Sequence, residues 1–414
     1  MTIPLQAGIP LTVFSLPALH GFCLCLYVRA GSMFETEEEG GLTHFTEHMV
    51  FRNINRLMEG DLYRELDRNG LCMTGVTYRE FVRFSISGEI SRFDEAASIF
   101  ARLLAPFSLT REDLRIEKGR IRAEIWEENE KTSLDAFTDS VLYGDNGLSR
   151  PITGTPAQVS AVTLKKLKAY RQKMFSANNC FFCMAGPLRS EDAFLLDRLT
   201  APYTLSADFP KRENIAPVSP YAFHRDGVVR VQPGSKTEVS FAFDLDMKTI
   251  KDPVLTLLYD ILFGDGEECK LHRALSEKTG LIYSFRSSLE TYSNVGVMRF
   301  SYEIQPSLLE KAVALSLDVL KKSENITEED IAYVIAPYTG NASLCLDDGE
   351  NLMDTLVYEK EILGLPYGTV EERSSAFRSV KAKDVRELAR QIFRKECFTL
   401  TVKGKNIHTS ELEK

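Results

Sequence analysis

The sequence predicts an α+β fold of two tandem, related domains, each a mostly antiparallel sheet packed with helices. The chain has 414 residues, more than a single hydrophobic core usually serves, so two or more domains are expected. Segments with the period-two alternation of strands are mixed along the chain with amphipathic helical segments. The order of these segments repeats between the two halves. We therefore expect one domain over residues 1–205 and a second over residues 206–414.

The first half starts with strands and continues mainly with helices. Two strands joined by a proline-containing turn are predicted within residues 11–30. A helix is predicted around Gly41–Val50, and a shorter helix over Gly60–Asn69 is ended by Gly70. Extended segments follow in residues 71–87. Further helices are then expected at residues 90–104, 110–130, 134–143 and 163–174. A closing strand is expected at residues 179–186.

The second half repeats this order after a break. Around residues 200–220 the periodicity fails and prolines accumulate, which is typical of an interdomain linker. After it, strands are expected at residues 228–245 and a helix at residues 253–263. A second helix that ends near residue 279 and further strands that end near residue 304 complete the series. The segment VRFSIS of the first half is echoed by MRFSYE in the second. This echo supports two related domains.

Composition and charge exclude several classes of function. A hydrophobic fraction of 44% and a charged fraction of 26% are ordinary for a soluble globular protein. The net charge of −9, without a Lys/Arg cluster, argues against nucleic-acid binding. The N-terminus lacks a basic region followed by a long apolar core, and no apolar run is long enough to span a membrane. We expect a cytoplasmic protein that binds neither nucleic acid nor membranes.

The eight cysteines are expected to be reduced thiols. They are scattered along the chain, and several lie in apolar, strand-like runs. Cys180 and Cys183 form a Cys-x-x-Cys pair in one such run, where positions three apart point to opposite faces. Since no second pair could complete a four-cysteine site, we expect no metal or redox role for them.

The strongest chemical signal is a His-x-x-Glu-His motif formed by His44, Glu47 and His48. On a helix, residues four apart lie one turn above each other, so the two histidines project from one face. Two neutral imidazoles and one carboxylate are a common ligand set for a catalytic zinc, with the fourth position left for water. The order is the inverse of His-Glu-x-x-His and is used by a class of zinc peptidases. The alternative is a surface helix whose polar residues contact solvent.

A carboxylate for this set can come from the charged helix at residues 110–130. Glu117 and Glu124 are seven residues apart, two helical turns, and therefore share a face. The alternative is a solvated acidic face. A His-x-x-Glu-His motif followed by a glutamate after 76 residues, the interval from His48 to Glu124, resembles the signature of the pitrilysin/insulinase-type (inverzincin) zinc metallopeptidases. That family includes the mitochondrial processing peptidases.

The resemblance covers most of the chain and implies roles for these residues. Similar segments follow the family order at residues 28–40, 117–125, 148–155, 163–174, 179–186, 262–266 and 271–283. The length matches the short, dimer-forming branch of the family. The resemblance implies that His44, His48 and Glu124 bind one Zn²⁺ per chain. It further implies that Glu47 is the general base and that Glu117 supports the zinc site.

The second domain is expected to lack zinc ligands. When LTHFTEH is aligned with LTLLYDI, Leu257 and Ile261 stand where His44 and His48 stand in the first domain. We therefore expect the second domain to serve the substrate or a partner.

Resemblance also implies substrate-binding residues, with two departures from the family pattern. The family binds peptide as an added strand on a sheet edge that carries a motif like Asn-Ala-x-Thr. Here Thr77 matches the threonine, but Thr74 replaces the asparagine. Active homodimers of the family also carry an Arg and a Tyr seven residues apart in the second domain. Tyr283 matches the tyrosine, whereas Ser276 stands in place of the arginine.

The expected function is zinc-dependent endopeptidase activity on extended oligopeptides or on leader or presequence segments. The alternative is a zinc-binding but non-catalytic scaffold or peptide-binding subunit of a peptidase-like complex. The expected assembly is a dimer, either a homodimer or a heterodimer with an Arg/Tyr-bearing paralogue. Because a serine replaces the arginine, the heterodimer is favoured.

Overall fold

The computed structural model of the chain describes residues 2–128, 133–144, 146–207, 228–264, 268–407 and 412. These residues form the predicted α+β fold with two separate sheets. They cluster into two compact units: the described residues within 1–129, 146–217 and 343–362 form unit 1, and those within 130–145, 218–342 and 363–414 form unit 2. The predicted linker at residues 200–220 lies mostly outside the described residues, and the boundary between residues 205 and 206 stays a prediction.

Unit 1 contains a six-stranded sheet. Its strands are β1 (Thr2–Pro4), β2 (Pro10–Ser15), β3 (Gly21–Val28), β4 (Cys72–Thr77), β5 (Val82–Glu89) and β6 (Cys180–Gly186). Their order across the sheet is β1-β2-β6-β3-β5-β4. The β2–β6 pair is parallel, and the other neighbouring pairs are antiparallel. Strand β4 therefore forms one edge of this sheet.

Unit 2 contains a five-stranded sheet with the same topology. Its strands are β7 (Val228–Pro233), β8 (Glu238–Asp246), β9 (Phe285–Thr291), β10 (Val295–Glu303) and β11 (Phe398–Gly404). Their order is β7-β11-β8-β10-β9, with β7 and β11 parallel and the other pairs antiparallel. If β1 is left out and the other strands of each sheet are counted along the chain, both sheets have the same order across the sheet: first, fifth, second, fourth, third. The predicted relation between the two halves is thus confirmed, and VRFSIS and MRFSYE lie on the equivalent strands β5 and β10.

The helices lie close to the predicted positions. They are α1 (Leu42–Leu57), α2 (Leu62–Asn69), α3 (Phe93–Ala101), α4 (Arg111–Glu128), α5 (Leu134–Tyr143), α6 (Pro156–Ala161), α7 (Leu164–Met174), α8 (Ser190–Thr200), α9 (Asp252–Phe263), α10 (Lys270–His272), α11 (Leu309–Lys321), α12 (Glu328–Val334), α13 (Ala336–Thr339), α14 (Gly349–Leu352), α15 (Val370–Ser379) and α16 (Ala382–Ile392). The helix expected to end near residue 279 is only the short α10, continued by a π-helical turn at Arg273–Glu277. A longer π-helical segment, Met353–Ile362, continues α14. No helix of the described residues combines the length and the apolar character that a membrane span requires.

Each unit has its own aromatic-rich core. In unit 1, α1 packs on the sheet through buried residues that include Phe45 and Met49. His44 and His48 each precede one of these core residues by one position, so they project from an adjacent face of the same helix. In unit 2 the fully buried aromatic side chains of the core include Phe241, Phe263, Phe300 and Phe377. The packing of Phe45 and Met49 therefore sets the direction in which the two histidines point.

A buried arginine on each of the equivalent strands β5 and β10 binds a helix contributed by the other half of the sequence. Arg83 of β5 forms ion pairs with Glu350 and Asp354, on the segment formed by α14 and its π-helical continuation. Arg299 of β10 forms ion pairs with Asp139, at 2.5 Å, and Asp135 of α5. The repeated Arg-Phe-Ser sequence thus has a structural explanation, because both arginines fix an exchanged helix on the sheet.

Replacement of Arg299 by methionine is expected to destabilise unit 2. Its partner Asp139 is only 15% exposed, so Arg299→Met leaves a carboxylate in a poorly solvated position without its cation. We expect a loss of about 3 kcal/mol in the free energy of unfolding. The partners of Arg83 are 45% and 55% exposed, so Arg83→Met should cost about 1 kcal/mol or less. Urea unfolding of both variants, with the exposed Arg286→Met as control, measures the difference, and equal losses for Arg83 and Arg299 would contradict this account.

Candidate metal site

Helices α1 and α4 bring two imidazoles and one carboxylate together in unit 1. The ring centroids of His44 and His48 are 4.5 Å apart. Nε2 of His44 lies 3.4 Å from Oε1 of Glu124, and Nε2 of His48 lies 3.5 Å from Oε2 of the same carboxylate. The three residues offer ligand atoms that all lie within 4.8 Å of one another. The residues that the sequence predicts as ligands therefore converge on one point.

This donor set fits a tetrahedral metal ion such as zinc. With metal–nitrogen and metal–oxygen bonds of about 2.0–2.1 Å, tetrahedral ligands lie about 3.4 Å apart. The two nitrogen–oxygen separations of 3.4 and 3.5 Å match that distance. Three protein ligands also leave one position open, as in catalytic zinc sites. Among the described residues, this is the one group of His, Cys, Asp and Glu side chains that meets such a distance criterion.

Glu117 fixes the orientation of His48. Its side chain is 1% exposed, and its Oε1 lies 3.1 Å from Nδ1 of His48. Burial alone would raise the pKa of Glu117, but His48 and Arg52 outweigh it and lower this pKa, so the carboxylate is ionised. An ionised carboxylate can only accept, so Nδ1–H of His48 donates and Nε2 is left free to bind a metal. Conversely, burial would lower the pKa of His48, but Glu117 and the other nearby carboxylates raise it.

Glu47 lies between the metal ligands and the edge strand β4. It is buried, and its Oε2 accepts a hydrogen bond of 3.5 Å from the hydroxyl of Thr77. A Cβ added to Gly75 would lie 2.7 Å from Oε1 of Glu47, so this carboxylate rests on the backbone of β4. Burial raises the pKa of Glu47, although the two histidine rings oppose this effect. A carboxyl group with a raised pKa next to a metal site is suited to accept and return a proton.

Among the strands of the described residues, β4 pairs only with β5, so its outer edge is free and presents backbone groups beside Glu47. The N–H of Tyr78 donates to the carbonyl of Phe81 at 2.8 Å and closes the hairpin between β4 and β5. Tyr78 and Phe81 are thus a hydrogen-bonded pair, and hydrogen-bonded and non-hydrogen-bonded pairs alternate along an antiparallel ladder. Going back along β4 from Tyr78, every second residue starting with Thr77, namely Thr77, Gly75 and Met73, therefore belongs to a non-hydrogen-bonded pair. The N–H and C=O groups of these three residues point away from β5. Two of these residues, Gly75 and Thr77, are the ones that approach Glu47. The edge can therefore accept a further strand next to this carboxylate.

The other two residues predicted to bind substrate lie elsewhere. The hydroxyl of Thr74 is 2.7 Å from that of Ser85 on β5, on the face of the sheet opposite to Gly75 and Thr77. Tyr283 belongs to unit 2, where its side chain is 94% exposed. The hydroxyl of Ser276 donates to the backbone carbonyl of Tyr283 at 3.4 Å. The roles of Thr74, Thr77 and Tyr283 in substrate binding stay predictions.

Two residues that support the site were missed by the sequence analysis. Glu35 is buried, and its two oxygens accept the N–H groups of Gly41, at 2.8 Å, and Thr43, at 2.6 Å, at the start of α1. It therefore caps the helix that carries both histidines. Arg52 donates from Nε to Oε2 of Glu117 at 2.6 Å. Arg52 lies one turn after His48 on α1, and this spacing could have indicated that it supports the site. Glu35 lies in an acidic run, where spacing does not distinguish it from its neighbours.

Comparison with known proteins agrees with this geometry. The family model described as insulinase (peptidase family M16) matches residues 21–156, and the model described as the peptidase M16 inactive domain matches residues 161–338. The chain belongs to the insulinase-type M16 peptidase family. The match to the first model includes the candidate ligands on α1 and α4.

Relatives of this M16 chain cover almost its whole length. An uncharacterized zinc protease of Streptomyces coelicolor is 23% identical over 399 residues, covering 94% of this chain and 86% of that protein. An uncharacterized zinc protease of Bacillus subtilis is 21% identical over 396 residues, covering 94% of both. A structure from Pseudomonas fluorescens, titled as a peptidase M16 inactive domain, has a TM-score of 0.85 at 17% identity and covers 98% of both chains. A protease from Helicobacter pylori has a TM-score of 0.81 at 19% identity, covering 98% of this chain and 99% of that one.

Replacing Glu117 by glutamine is expected to weaken metal binding without removing a ligand. The amide oxygen of glutamine can still accept from Nδ1–H of His48 but carries no negative charge, so it holds the tautomer and orientation of the ring less strongly. We expect zinc affinity to fall by about 10- to 100-fold, measured by competition with a chromophoric chelator. The exposed Glu112→Gln on the same helix is the control. Unchanged affinity in the Glu117 variant would show that it does not support the site.

Proposed function

We propose that this M16 family member is a zinc-dependent endopeptidase that hydrolyses extended oligopeptides, including leader or presequence segments. The observation that carries the proposal is the convergence of both Nε2 atoms on the Glu124 carboxylate, next to Glu47 and the free edge of β4. A group of metal ligands and an edge that can bind an extended peptide at one place would allow metal-assisted hydrolysis of that peptide. The names of the relatives as zinc proteases support the same conclusion.

Each site residue has a distinct task in this reaction. His44, His48 and Glu124 would hold one zinc ion, which lowers the pKa of a bound water and polarises the scissile carbonyl. Glu47 takes the proton from the attacking water and delivers it to the leaving amine. Its contact with the β4 backbone places this proton transfer beside the peptide strand. Glu117 keeps the ring of His48 in the tautomer and orientation that the site requires.

The edge of β4 defines the class of substrate. A peptide that pairs with the outward backbone groups of Met73, Gly75 and Thr77 must be extended, because only an extended strand continues the ladder. Backbone hydrogen bonds then supply much of the recognition, so many sequences can bind. Folded proteins are excluded unless they present a flexible segment. The proposed substrates are therefore unstructured oligopeptides and the flexible leader segments of larger chains.

We further propose that the working form is a dimer, with a heterodimer favoured over a homodimer. Tyr283 is almost fully exposed and is available to a peptide, but Ser276 bonds to the backbone carbonyl of that tyrosine and carries no charge. A serine cannot make the forked contact of an arginine with a peptide carbonyl or carboxylate. A paralogous subunit with Arg and Tyr at these positions would supply the missing group.

Cleavage of an unstructured peptide mixture by the purified, zinc-loaded chain tests the proposal. Zinc content is measured first, with one ion per chain expected. Fragments appearing with this chain alone would establish an endopeptidase that needs no second subunit and would contradict the heterodimer. Bound zinc without cleavage, followed by cleavage once an Arg/Tyr-bearing paralogue is added, would support the heterodimer. Bound zinc without cleavage under either condition would overturn the peptidase proposal and favour a non-catalytic peptide-binding subunit.

A further inference from the structure

A polar pocket in unit 1 lies next to the candidate metal site. It is formed by the second half of α1, the turn after α1, the loop before α4 and the first turn of α4. Its volume of about 500 Å³ is in the range of pockets that bind small ligands. A Cβ added to Gly60, in the turn after α1, would meet no atom within 4 Å, so the pocket is open there. Its polar side chains are those of Arg52, Asn55, Arg56, Glu59, Ser108 and Asp113.

Two guanidinium groups of this pocket approach one carboxylate without forming a hydrogen bond to it. Nη1 of Arg52 lies 3.9 Å from Oδ1 of Asp113, and Nη1 of Arg56 lies 3.7 Å from Oδ2. Both separations are too long for hydrogen bonds. Nε of Arg52 donates to Glu117 at 2.6 Å. Within the part of the chain that the structure describes, the terminal nitrogens of both arginines have no hydrogen-bond acceptor and are available to a ligand.

Hydrogen-bond donors outnumber the acceptors of this pocket. Oδ1 of Asn55 accepts the N–H of Leu62 at 3.2 Å, which leaves the amide nitrogen of Asn55 as a further donor. Oδ2 of Asp113 already accepts the N–H of Thr110 at 2.7 Å and the hydroxyl of Thr110 at 2.6 Å. The carboxylate oxygens that remain are Oδ1 of Asp113 and those of the exposed Glu59. The pocket also lies at the N-terminal end of α4, where the helix dipole favours a negative charge.

We propose that this pocket binds an oxyanion, either a phosphate-type ion or the carboxylate of a peptide. A planar guanidinium donates two parallel hydrogen bonds to such a group, and the guanidinium groups of Arg52 and Arg56 can bind different oxygens of one ligand. The amide nitrogen of Asn55 supplies a further donor. The oxyanion thus brings several acceptor atoms to a pocket that has more donors than acceptors.

The oxyanion would lie next to the residues that hold His48. Arg52 faces the pocket with its terminal nitrogens and contacts Glu117 with Nε, and Glu117 lies 3.1 Å from Nδ1 of His48. If the ligand is a peptide carboxylate, the pocket is a subsite for an acidic residue or the C-terminus of a substrate, and this role rests on the proposed function. Binding of a phosphate-type ion does not depend on peptide cleavage.

Equilibrium dialysis of the metal-free full chain against radiolabelled sulfate or acetate tests the proposal. Sulfate represents a phosphate-type ligand and acetate a peptide carboxylate. Without metal, neither anion can bind at an open metal position. We expect at least one of the two to bind saturably, at one ion per chain, with a dissociation constant on the order of millimolar. Binding of sulfate alone would assign a phosphate-type ligand, and binding of acetate would assign a carboxylate. If neither anion binds saturably, the proposal is overturned.

Substitution of Arg56 tests the pocket without changing the support of His48. Among the described residues, Arg56 forms its ion pair with Asp113 and not with Glu117. Arg56→Met should weaken anion binding at least about tenfold, and Arg56→Lys, which keeps the charge but not the planar fork, should have a smaller effect. Arg68→Met is the matched control, because Arg68 is exposed on α2 and pairs with Glu65 outside the pocket.

Two results with these variants would overturn the proposal. One is anion binding by Arg56→Met that is as tight as binding by the unaltered chain. The other is a loss of binding in Arg68→Met that equals the loss in Arg56→Met. Because the dialysis uses neither metal nor peptide, its outcome is independent of whether the chain cleaves peptides.

Discussion

Replacing Glu47 by glutamine should abolish most peptide cleavage while the metal stays bound. The two side chains have almost the same size, so α1 and its contacts with β4 are retained. An amide cannot take a proton from water at neutral pH, and loss of a general base lowers turnover by about 10²- to 10⁴-fold. Because Glu47 is not among the three residues that converge as ligands, zinc content should remain at one ion per chain. Turnover is measured in whichever form cleaves peptide, the chain alone or the chain with an Arg/Tyr-bearing paralogue, and zinc content is measured on the same preparation.

The control for this experiment is Glu38→Gln, an exposed position in the acidic turn before α1. It removes the same charge from the same region of the sequence without touching the site. Unchanged cleavage by the Glu47 variant would refute its assignment as the base. Loss of zinc together with cleavage would instead show that Glu47 is needed to form the metal site.

The elements that position the ligands could be predicted because their signals are local. The spacing of His44 and His48 is a property of one helix, and the two-turn spacing of Glu117 and Glu124 is a property of another. That these two helices meet is not contained in either pattern. It was supplied by resemblance to a family, and the structure brings the residues to within 3.5 Å.

The features that sequence analysis missed depend on contacts between distant residues. Arg83 and Glu350 are 267 residues apart, and Arg299 and Asp139 are 160 apart. No periodicity within one segment predicts that a helix from one half of the chain packs on the sheet of the other half. Glu35 was missed for a related reason, since its role arises from burial against the first turn of α1 and not from its spacing. In both cases tertiary packing, rather than local propensity, decides which charged residue is important.

Replacing Glu124 by glutamine should have the largest effect on metal binding. Its two oxygens face one histidine nitrogen each, and the His44 ring lowers the pKa of this carboxyl despite its partial burial. The anion is therefore present at neutral pH to balance the charge of the metal. Glutamine keeps one neutral oxygen and loses that charge. Zinc affinity should therefore fall further than in the Glu117→Gln variant, for which a loss of about 10- to 100-fold is expected.

Thermal or urea unfolding with and without zinc measures this loss independently of catalysis. At a free zinc concentration about 100 times the dissociation constant, a bound ion stabilises the native protein by about 2.7 kcal/mol. If Glu124→Gln raises the dissociation constant about 100-fold, the same zinc concentration stabilises the variant by only about 0.4 kcal/mol. The exposed Glu127→Gln, one turn further along α4, should retain the full effect. Equal stabilisation of the two variants would mean that Glu124 is not a ligand, and the third ligand would then have to be another group near His44 and His48.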